Sequence, residues 1–322
     1  MKNTKNPQIS VIITVRNEEK TIKSCLESVI NQSISNDLYE ILVIDGNSKD
    51  RTTEIVTEVS KKYPMQISLF DQEGKGISNA RNTGIKYSHG KILSFIDGDA
   101  IACENWLDEY LQCFDQNGDD LGFAWGPIKL WNNEKIVAKI LYNFFYSQIG
   151  AQGVNIAFRK SALYKVGNFD EQFIGRGDEV VVILKLVKSG FKSRKCDKAI
   201  VSHELPTSIA AFFKLRYYDG YHGYTIAQKY YNLTEKRKYF ISFILKFMIL
   251  IGIIALAISV VYWTAFSLIA LIILLIGVIE VYLNISKPKN KTISLILAGL
   301  PIILLGHTFQ LCGEFVRIVK LK

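Results

Sequence analysis

The run ISVIITV at residues 9–15 decides how the first half of this chain folds. It holds no charge and consists almost entirely of β-branched residues, which is typical of a strand buried on both faces of a parallel sheet. Three similar runs follow it, at residues 39–44, 66–70 and 92–96. The segments between them have apolar residues at helical spacing and predict helices that begin near Asn17, Thr52 and Ser78. This regular alternation of strand and helix predicts an α/β fold with a mostly parallel sheet.

Acidic residues stand where the predicted strands end. Glu18 and Asp45 follow the first two strands, and Asp97 and Asp99 follow the strand at 92–96. Ligands of open parallel sheets bind beyond the carboxyl ends of the strands, so these four acids are expected to share one crevice. Two carboxylates separated by one glycine are ligands that Mg²⁺ or Mn²⁺ takes together with phosphate oxygens. A surface turn is the alternative explanation for an isolated Asp-Gly-Asp.

Four motifs follow one another in the first third of the chain: VIITVRNE at 11–18, VIDGNSKDRT at 43–52, GISNARNTG at 76–84 and DGD at 97–99. In this order and spacing they resemble the family 2 glycosyltransferases, which have the Rossmann-like GT-A fold. A weaker resemblance continues through GNFDE at 167–171 to the region of Asp178. The resemblance implies transfer of a sugar from a nucleotide-sugar donor, with Mn²⁺ or Mg²⁺ as cofactor.

The resemblance also implies which residues bind the donor. Its donor-binding positions fall on Thr14, Arg16, Glu18, Asp45, Arg81, Asp97 and Arg216. Glu18 and Asp45 correspond to positions that contact the nucleoside. Arg81 occupies a position where a guanidinium steadies the donor, and a salt bridge inside the fold is the alternative. Arg216 loosely resembles the diphosphate-binding arginine of processive relatives, whose Gln-x-x-Arg-Trp signature is absent from this sequence, so polymer synthesis is not favoured.

Metal ligands and a general base are implied in the same way. Asp99 is the expected main metal ligand, Asp97 lies near the ribose and the metal, and His203 resembles a position where some relatives add a histidine ligand. The family's base is the aspartate of a Glu-Asp pair at a helix start. Here the order is reversed, so Glu179 is the base by position and Asp178 remains possible. The alternative is that both are favourable acids in a helix's first turn.

Charge is distributed unevenly along the chain. Residues 1–206 hold as many basic as acidic side chains, so the formal net charge of +9 comes entirely from residues 207–322. The basic excess precedes and separates long apolar runs, where it meets anionic lipid headgroups rather than nucleic acid. Nucleic acid is therefore not an expected partner, whereas anionic membrane lipids are.

The C-terminal third is predicted to be a membrane region. The stretch 207–240 mixes basic residues with tyrosines and suits an amphipathic helix at the membrane interface, or a solvated helix that leads into the bilayer. Candidate spans lie at residues 241–262, 264–284 and 292–312. The lysines at 287, 289 and 291 predict that this loop and the catalytic part lie on the cytoplasmic side. The third segment is alternatively re-entrant, bent at Pro301.

Two further observations favour a cytoplasmic catalytic part of a multi-pass membrane protein. The five cysteines contain no Cys-x-x-Cys pair, which fits reduced thiols better than a zinc site or a disulfide framework. The segment MKNTKNPQIS has no hydrophobic signal region.

These observations predict a catalytic domain at 1–206, an interfacial segment at 207–240 and a transmembrane region at 241–322. Within the catalytic domain, residues 1–105 bind the nucleotide sugar and 106–206 face the acceptor. The predicted activity is inverting transfer from a UDP- or GDP-sugar to a lipid-linked or membrane-proximal acceptor. The alternatives are a polyprenyl-phosphate sugar synthase and, in a different class, an inactive nucleotide-binding membrane scaffold.

Overall fold

The computed structural model describes residues 6–64, 66–131, 151–172, 177–204 and 208–262, together with residues 138 and 142. The chain divides into two compact units, one made of residues 1–133 and 149–205 and the other of residues 134–148 and 206–322. The strands of the first unit are β1 (Ile9–Val15), β2 (Tyr39–Asp45), β3 (Ile67–Asp71), β4 (Ile92–Asp97), β5 (Ala100–Ala102), β6 (Leu121–Trp125), β7 (Ile128–Leu130), β8 (Ile156–Arg159), β9 (Lys192–Lys195) and β10 (Val201–His203). Its helices are α1 (Ile22–Ile30), α2 (Thr52–Lys62), α3 (Ile77–Tyr87), α4 (Trp106–Asn117), α5 (Lys160–Val166) and α6 (Asp178–Lys188).

The first unit is built on a sheet with strand order β3-β2-β1-β4-β8-β6-β9. The pairs β3/β2, β2/β1, β1/β4 and β6/β9 are parallel, and β8 is antiparallel to both of its neighbours. A smaller sheet has the order β5-β10-β7. The predicted α/β fold with a mostly parallel sheet is therefore confirmed.

Burial of β1 on both faces explains why its sequence decides the fold. Ile9, Val11, Ile13 and Val15 point into one apolar cluster, whereas Ile12 points into a second cluster on the opposite face. Successive side chains of a strand alternate between faces, so only a run without polar interruptions can fill both. Each fully buried aliphatic side chain contributes about 1.5–3 kcal/mol of hydrophobic stabilisation.

Helix α1 begins later than the sequence pattern predicts. It starts at Ile22 instead of Asn17, because Asn17 has a left-handed backbone conformation with φ of 61°. A residue with positive φ cannot belong to a right-handed helix. The backbone N–H groups of residues 17–19 instead bond to side chains of the loop after β2. The predicted helix starts at Thr52 and Ser78 lie within one residue of the observed ones.

The described part of the second unit consists of helices α7 (Ile209–Tyr230) and α8 (Leu233–Tyr262). A reciprocal cap begins α8, in which the Asn232 N–H donates to the Glu235 carboxylate and the Glu235 N–H donates to the Asn232 side chain. Helix α8 then continues without a break past residue 240, where the sequence predicts the end of an interfacial segment.

Within the described ranges, no helix combines the length and the apolar character that crossing a membrane requires. The second and third predicted spans, residues 264–284 and 292–312, lie outside the described residues. No disulfide forms among the cysteines that the structure describes, since Cys25, Cys103, Cys113 and Cys196 are all free.

Candidate active site

Strand register brings the predicted donor-binding residues to one edge of the main sheet. Asp45, the last residue of β2, lies beside Val15 of β1, and Asp97, the last residue of β4, lies beside Thr14 on the other side of β1. Thr14 is half-buried and Arg16, just beyond the end of β1, is exposed. The parallel strands thus align the ends from which these side chains project, as the sequence predicts.

Asp45 is almost completely buried and is held by a single neighbour. Its Oδ2 accepts a hydrogen bond from the Ser48 backbone N–H at 3.0 Å, and its Oδ1 accepts one from the Ser48 hydroxyl at 2.5 Å. Ser48 in turn accepts a bond from the Asn17 N–H at 2.9 Å. Ser48 was not among the predicted site residues, although an aspartate three residues before a serine at a strand end is a recognisable turn signal.

Side chains join the loop after β1 to the loop after β2. Besides the Asn17–Ser48 bond, the Lys49 N–H donates to the Asn17 side chain at 2.7 Å, and the Glu18 N–H donates to the Thr52 hydroxyl at 2.7 Å. The Glu19 N–H donates to the Asp50 carboxylate at 3.1 Å. The two loops therefore form one hydrogen-bonded structure, which we call the joined loops.

The three residues predicted to bind metal come together in the structure. Asp97, Asp99 and His203 each offer a ligand atom, and these atoms lie within 4.8 Å of one another. The His203 Nε2 lies 3.1 Å from Asp99 Oδ1, and all three side chains are partly exposed. Two carboxylates and one imidazole suit a Mn²⁺ or Mg²⁺ ion, with positions left for phosphate oxygens. The residues present therefore fit the expected cation.

Negative charge accumulates beside this cluster. Burial, reinforced by the charges of Asp99 and Asp97, raises the pKa of Glu18 to about 7. The Thr21 hydroxyl donates to the Glu18 carboxylate at 3.1 Å and opposes that rise. Burial also raises the pKa of Asp97, while the Arg81 guanidinium lowers it. A bound cation would reduce the electrostatic repulsion among these neighbouring carboxylates. This agrees with the arrangement of the possible ligands.

Arg81 is buried and makes an ion pair inside the fold. Its Nη1 donates to both carboxylate oxygens of Asp178, at 2.7 and 2.8 Å, and lies 3.7 Å from Glu179. Its Nη2 is 4.0 Å from Asp97, and its guanidinium lies over the Phe169 ring. This is the salt bridge that the sequence left open as the alternative. A direct contact between Arg81 and the donor stays a prediction.

A glycine provides the space for this guanidinium. A Cβ atom at Gly153 would lie 2.2 Å from Arg81 Nη2, closer than atoms of folded proteins approach. Gly153 therefore lets the backbone pass directly against Arg81.

The two candidate bases at the start of α6 differ in exposure. Asp178 is 2% exposed and is occupied by Arg81, whereas the Glu179 side chain is 18% exposed. Burial raises the pKa of Asp178, the Arg81 charge lowers it, and the Glu179 charge raises it again. A base must reach the proton of an incoming acceptor, so the geometry favours Glu179 over Asp178.

Arg216 is not among the residues that the first unit brings together. It belongs to α7 of the second unit, where its guanidinium pairs with Asp219 at 2.9 Å. Its expected role toward the diphosphate stays a prediction.

Two family models match this chain, and both matched ranges include Asp97 and Asp99. The model described as glycosyl transferase family 2 matches residues 10–173, about half of the chain, and the model described as glycosyl transferase family group 2 matches residues 93–280. The chain belongs to glycosyl transferase family 2. Its members transfer sugars from nucleotide-sugar donors, and the acid cluster at the end of β4 lies inside both matched ranges. The predicted enzyme class is therefore confirmed.

Two relatives agree with this family 2 assignment. The chain is 34% identical over 181 residues to the glycosyltransferase AglE of Haloferax volcanii, covering 53% of this chain and 59% of AglE. It thus spans less than two thirds of that relative's length. Over 265 residues it is 28% identical to a Methanococcus voltae enzyme named dolichyl N-acetyl-alpha-D-glucosaminyl phosphate 3-beta-D-2,3-diacetamido-2,3-dideoxy-beta-D-glucuronosyltransferase, covering 76% of this chain and 82% of that one.

A solved structure supports the fold of this family 2 chain. The mannosyltransferase PcManGT of Pyrobaculum calidifontis, in complex with GDP-Man and Mn²⁺, matches with a TM-score of 0.63 and 15% identity. The match covers 98% of this chain and 88% of that one. At this identity it supports the GT-A fold alone.

Proposed function

We propose that this family 2 glycosyltransferase inverts the anomeric carbon while it transfers a sugar from a UDP- or GDP-sugar to a lipid-linked or membrane-proximal acceptor. The observation that carries the proposal is the cluster of Asp97, Asp99 and His203, in the same unit as the partly exposed carboxylate of Glu179. One group of side chains suits a metal-bound diphosphate, and the other suits an acceptor hydroxyl.

In this proposal Asp99 and His203 would hold the cation, and Asp97 would lie near both the cation and the ribose. When bound, the cation offsets the negative charge that develops on the departing diphosphate. The nucleoside is bound by side chains at or just beyond the ends of β1 and β2, namely Thr14, Arg16, Glu18 and Asp45. The donor nucleotides are suggested by PcManGT, whose solved complex contains GDP-Man, and by a solved complex of Staphylococcus aureus TarS with UDP-GlcNAc.

On the acceptor side Glu179 takes the proton of the acceptor hydroxyl. Asp178 serves as the counter-ion of Arg81, because a buried guanidinium without a partner would be strongly destabilising. Arg81 thereby connects the start of α6 with Asp97 at the end of β4. An accessible base favours a hydroxyl acceptor over a lipid phosphate, which is already a nucleophile and needs less help from a base.

The lipid-linked acceptor and attachment to a membrane surface are inferred from the second unit, and the cytoplasmic face is inferred from the sequence lysines at 287, 289 and 291. Six large apolar side chains of α8 are between 41% and 61% exposed: Phe240, Ile241, Ile244, Phe247, Met248 and Ile251. Their spacing of three, four and seven residues aligns them along one side of the helix, the apolar face of α8. The basic run 236–238 precedes this face, an order typical of helices that bind anionic membranes.

A cleft between α7 and α8 adds to this inference. It has a volume of about 280 Å³ and is lined by Tyr224, Ala227, Gln228, Lys236, Tyr239, Phe240 and Phe243. The lining combines one cationic side chain with hydroxyl groups, an amide and aromatic rings. Such a combination is suited to the boundary between lipid headgroups and hydrocarbon chains. The M. voltae relative is named for a dolichyl phosphate sugar, which agrees with a lipid-linked acceptor for this chain.

The experiment that tests the transferase proposal uses the purified chain of residues 1–322 with a panel of nucleotide sugars and Mn²⁺ or EDTA. Each donor is offered with a lipid-linked sugar, with a polyprenyl phosphate and without acceptor. We expect metal-dependent transfer to the lipid-linked sugar with inversion of the anomeric configuration. Transfer only to the polyprenyl phosphate would replace this proposal with the synthase alternative, and full activity in EDTA would refute the metal role.

Membrane binding is tested separately by flotation with vesicles of increasing anionic lipid content. Each basic residue near an anionic surface contributes about 1 kcal/mol, so changing Lys236, Arg237 and Lys238 to glutamine is expected to weaken binding roughly 100-fold. A matched triple variant at the exposed lysines 23, 61 and 62 of the first unit serves as control. Equal binding by both variants would refute the membrane role of the basic run.

A further inference from the structure

Asn155, the residue before β8, is completely buried, and its carboxamide makes every hydrogen bond available to it. Its Oδ1 accepts bonds from the Trp106 indole N–H at 2.8 Å and from the Tyr110 hydroxyl at 2.7 Å. Its Nδ2 donates to the Pro127 carbonyl at 3.0 Å and to the Ala199 carbonyl at 2.9 Å. A carboxamide offers two acceptor and two donor positions, so this one is fully used.

The two carbonyls bound by Asn155 belong to the segments that enter the small sheet. Pro127 immediately precedes β7, and Ala199 lies two residues before β10. The Pro127 carbonyl also accepts a bond from the Val201 N–H at 3.1 Å. Both strands are therefore held at their entrances by one side chain, and they run parallel to each other from that point.

The backbone segments that precede β7 and β10 pack closely against each other and against Asn155. A Cβ atom at Gly126 would lie 1.7 Å from the Ala199 carbonyl oxygen and 2.7 Å from Asn155 Nδ2. The glycine is thus required by the close approach of the two segments. The Gly126 N–H also points toward the Asn155 carbonyl at 3.4 Å.

His203 is the last residue of β10, at the end opposite to the one that Asn155 holds. Its backbone pairs with Ala100 of β5, the residue that follows Asp99, and its carbonyl accepts a bond from the Trp131 N–H at 3.1 Å. The imidazole Nε2 reaches Asp99 at 3.1 Å. The position of β10 therefore decides whether the imidazole meets the carboxylates at the end of β4.

We infer that Asn155 is a positioning residue for the metal site, which fixes the small sheet so that His203 ligates the cation together with Asp97 and Asp99. This inference rests on the proposed role of His203 as a metal ligand. Asn155 itself touches neither cation nor donor. Loss of its two donated bonds frees the entrances of β7 and β10, and the imidazole moves away from Asp99.

The test is pulsed electron paramagnetic resonance of Mn²⁺ bound to the chain of residues 1–322, because a ligating imidazole nitrogen modulates the signal. Wild type is expected to show this nitrogen modulation, and His203→Ala is expected to lose it. Asn155→Ala is expected to lose it too and to bind Mn²⁺ roughly 10- to 100-fold more weakly, as for other residues that orient metal ligands. Asn155→Ser, which retains one donor, is expected to fall between wild type and Asn155→Ala.

Two controls separate positioning from a general loss of stability. Ser10→Ala removes a buried hydroxyl that bonds Glu40 and Gly90 near the opposite end of β1. Tyr110→Phe removes one bond on the other side of the Asn155 carboxamide and leaves both donated bonds in place. Both variants are expected to keep the nitrogen modulation, with thermal midpoints lowered.

The outcomes distinguish this inference from the proposed function. A folded Asn155→Ala or Asn155→Ser variant with unchanged modulation and Mn²⁺ affinity would overturn the positioning role alone. Absence of nitrogen modulation in wild type would overturn the His203 ligand assignment, and the inference with it. Should Asn155→Ala fail to fold, the Asn155→Ser variant decides between these outcomes.

Discussion

The raised pKa of Glu18 predicts that the site destabilises the protein when no metal is bound. Its pKa rises from an ordinary 4.5 to about 7 in the folded protein because of burial and the charges of Asp99 and Asp97. Below pH 4.5 the carboxyl is protonated in the folded and unfolded chains alike. As the pH rises from 4.5 to 7, the unfolded chain releases this proton first, so the folded state loses stability.

The size of the effect follows from the pKa difference. At about 1.4 kcal/mol for each pKa unit, the full rise would correspond to about 3.5 kcal/mol above pH 7, and solvent screening of this partly exposed carboxylate reduces the expected loss of stability to about 2 kcal/mol. Glu18→Gln keeps the shape of the side chain and an acceptor for the Thr21 hydroxyl, and it removes the charge. The variant is therefore expected to be more stable than wild type at pH 8 and equally stable at pH 4.5.

Thermal unfolding in EDTA, followed by tryptophan fluorescence, measures this difference. A gain of about 2 kcal/mol raises the melting temperature by roughly 4–8 °C for a unit of this size. Saturating Mn²⁺ should reduce the gain, because a bound cation already neutralises the acids. Glu27→Gln, at an exposed position of α1, is the control. A shift in Glu18→Gln that is the same at pH 5 and pH 8 would refute the reasoning.

Three further substitutions test the metal site, the base and the buried ion pair. Asp99→Ala should abolish Mn²⁺-dependent transfer and Mn²⁺ binding while leaving the fold intact, and Mn²⁺ titration by electron paramagnetic resonance checks this. Glu179→Gln should lower turnover by roughly 10²-fold with donor affinity unchanged, whereas Asp178→Asn should mainly destabilise, by about 3–5 kcal/mol, because it removes the carboxylate that accepts both short bonds from buried Arg81 and leaves only the more distant charges of Glu179 and Asp97. Steady-state kinetics and urea unfolding of both variants separate these effects, and the reverse pattern would move the base to Asp178. Gly153→Ala should displace the Arg81 guanidinium and lower both stability and turnover, in contrast to Gly223→Ala on α7, where a Cβ atom meets no close contact.

Periodicity predicts the main sheet because burial on both faces leaves a strong local pattern. The runs at 9–15, 39–44 and 92–96 became β1, β2 and β4 within one residue. The predicted start of α1 at Asn17 was wrong, because the spacing of apolar residues in the helix does not report the left-handed conformation of Asn17. That conformation depends on side chains of another loop, about thirty residues away in the sequence.

The residues of the candidate site could be predicted from the sequence, but the hydrogen-bond and ion-pair partners of those residues could not. The cluster of Asp97, Asp99 and His203 was expected from the resemblance, and the structure brings the three together. The partner of Arg81 lies 97 residues further along the chain, a separation that leaves no pattern in a single sequence. Asn155 was missed for the same reason, since its partners are spread from Trp106 to Ala199.

The joined loops have a consequence for anyone who recombines relatives of this enzyme. Asn17 contributes both a donor and an acceptor to the loop after β2, and Glu18 and Glu19 each add a further bond. A chimera that imports one loop from a relative therefore breaks bonds on both sides of the junction. Crossover points should therefore lie before β1 and after α2, so that both loops come from the same parent protein.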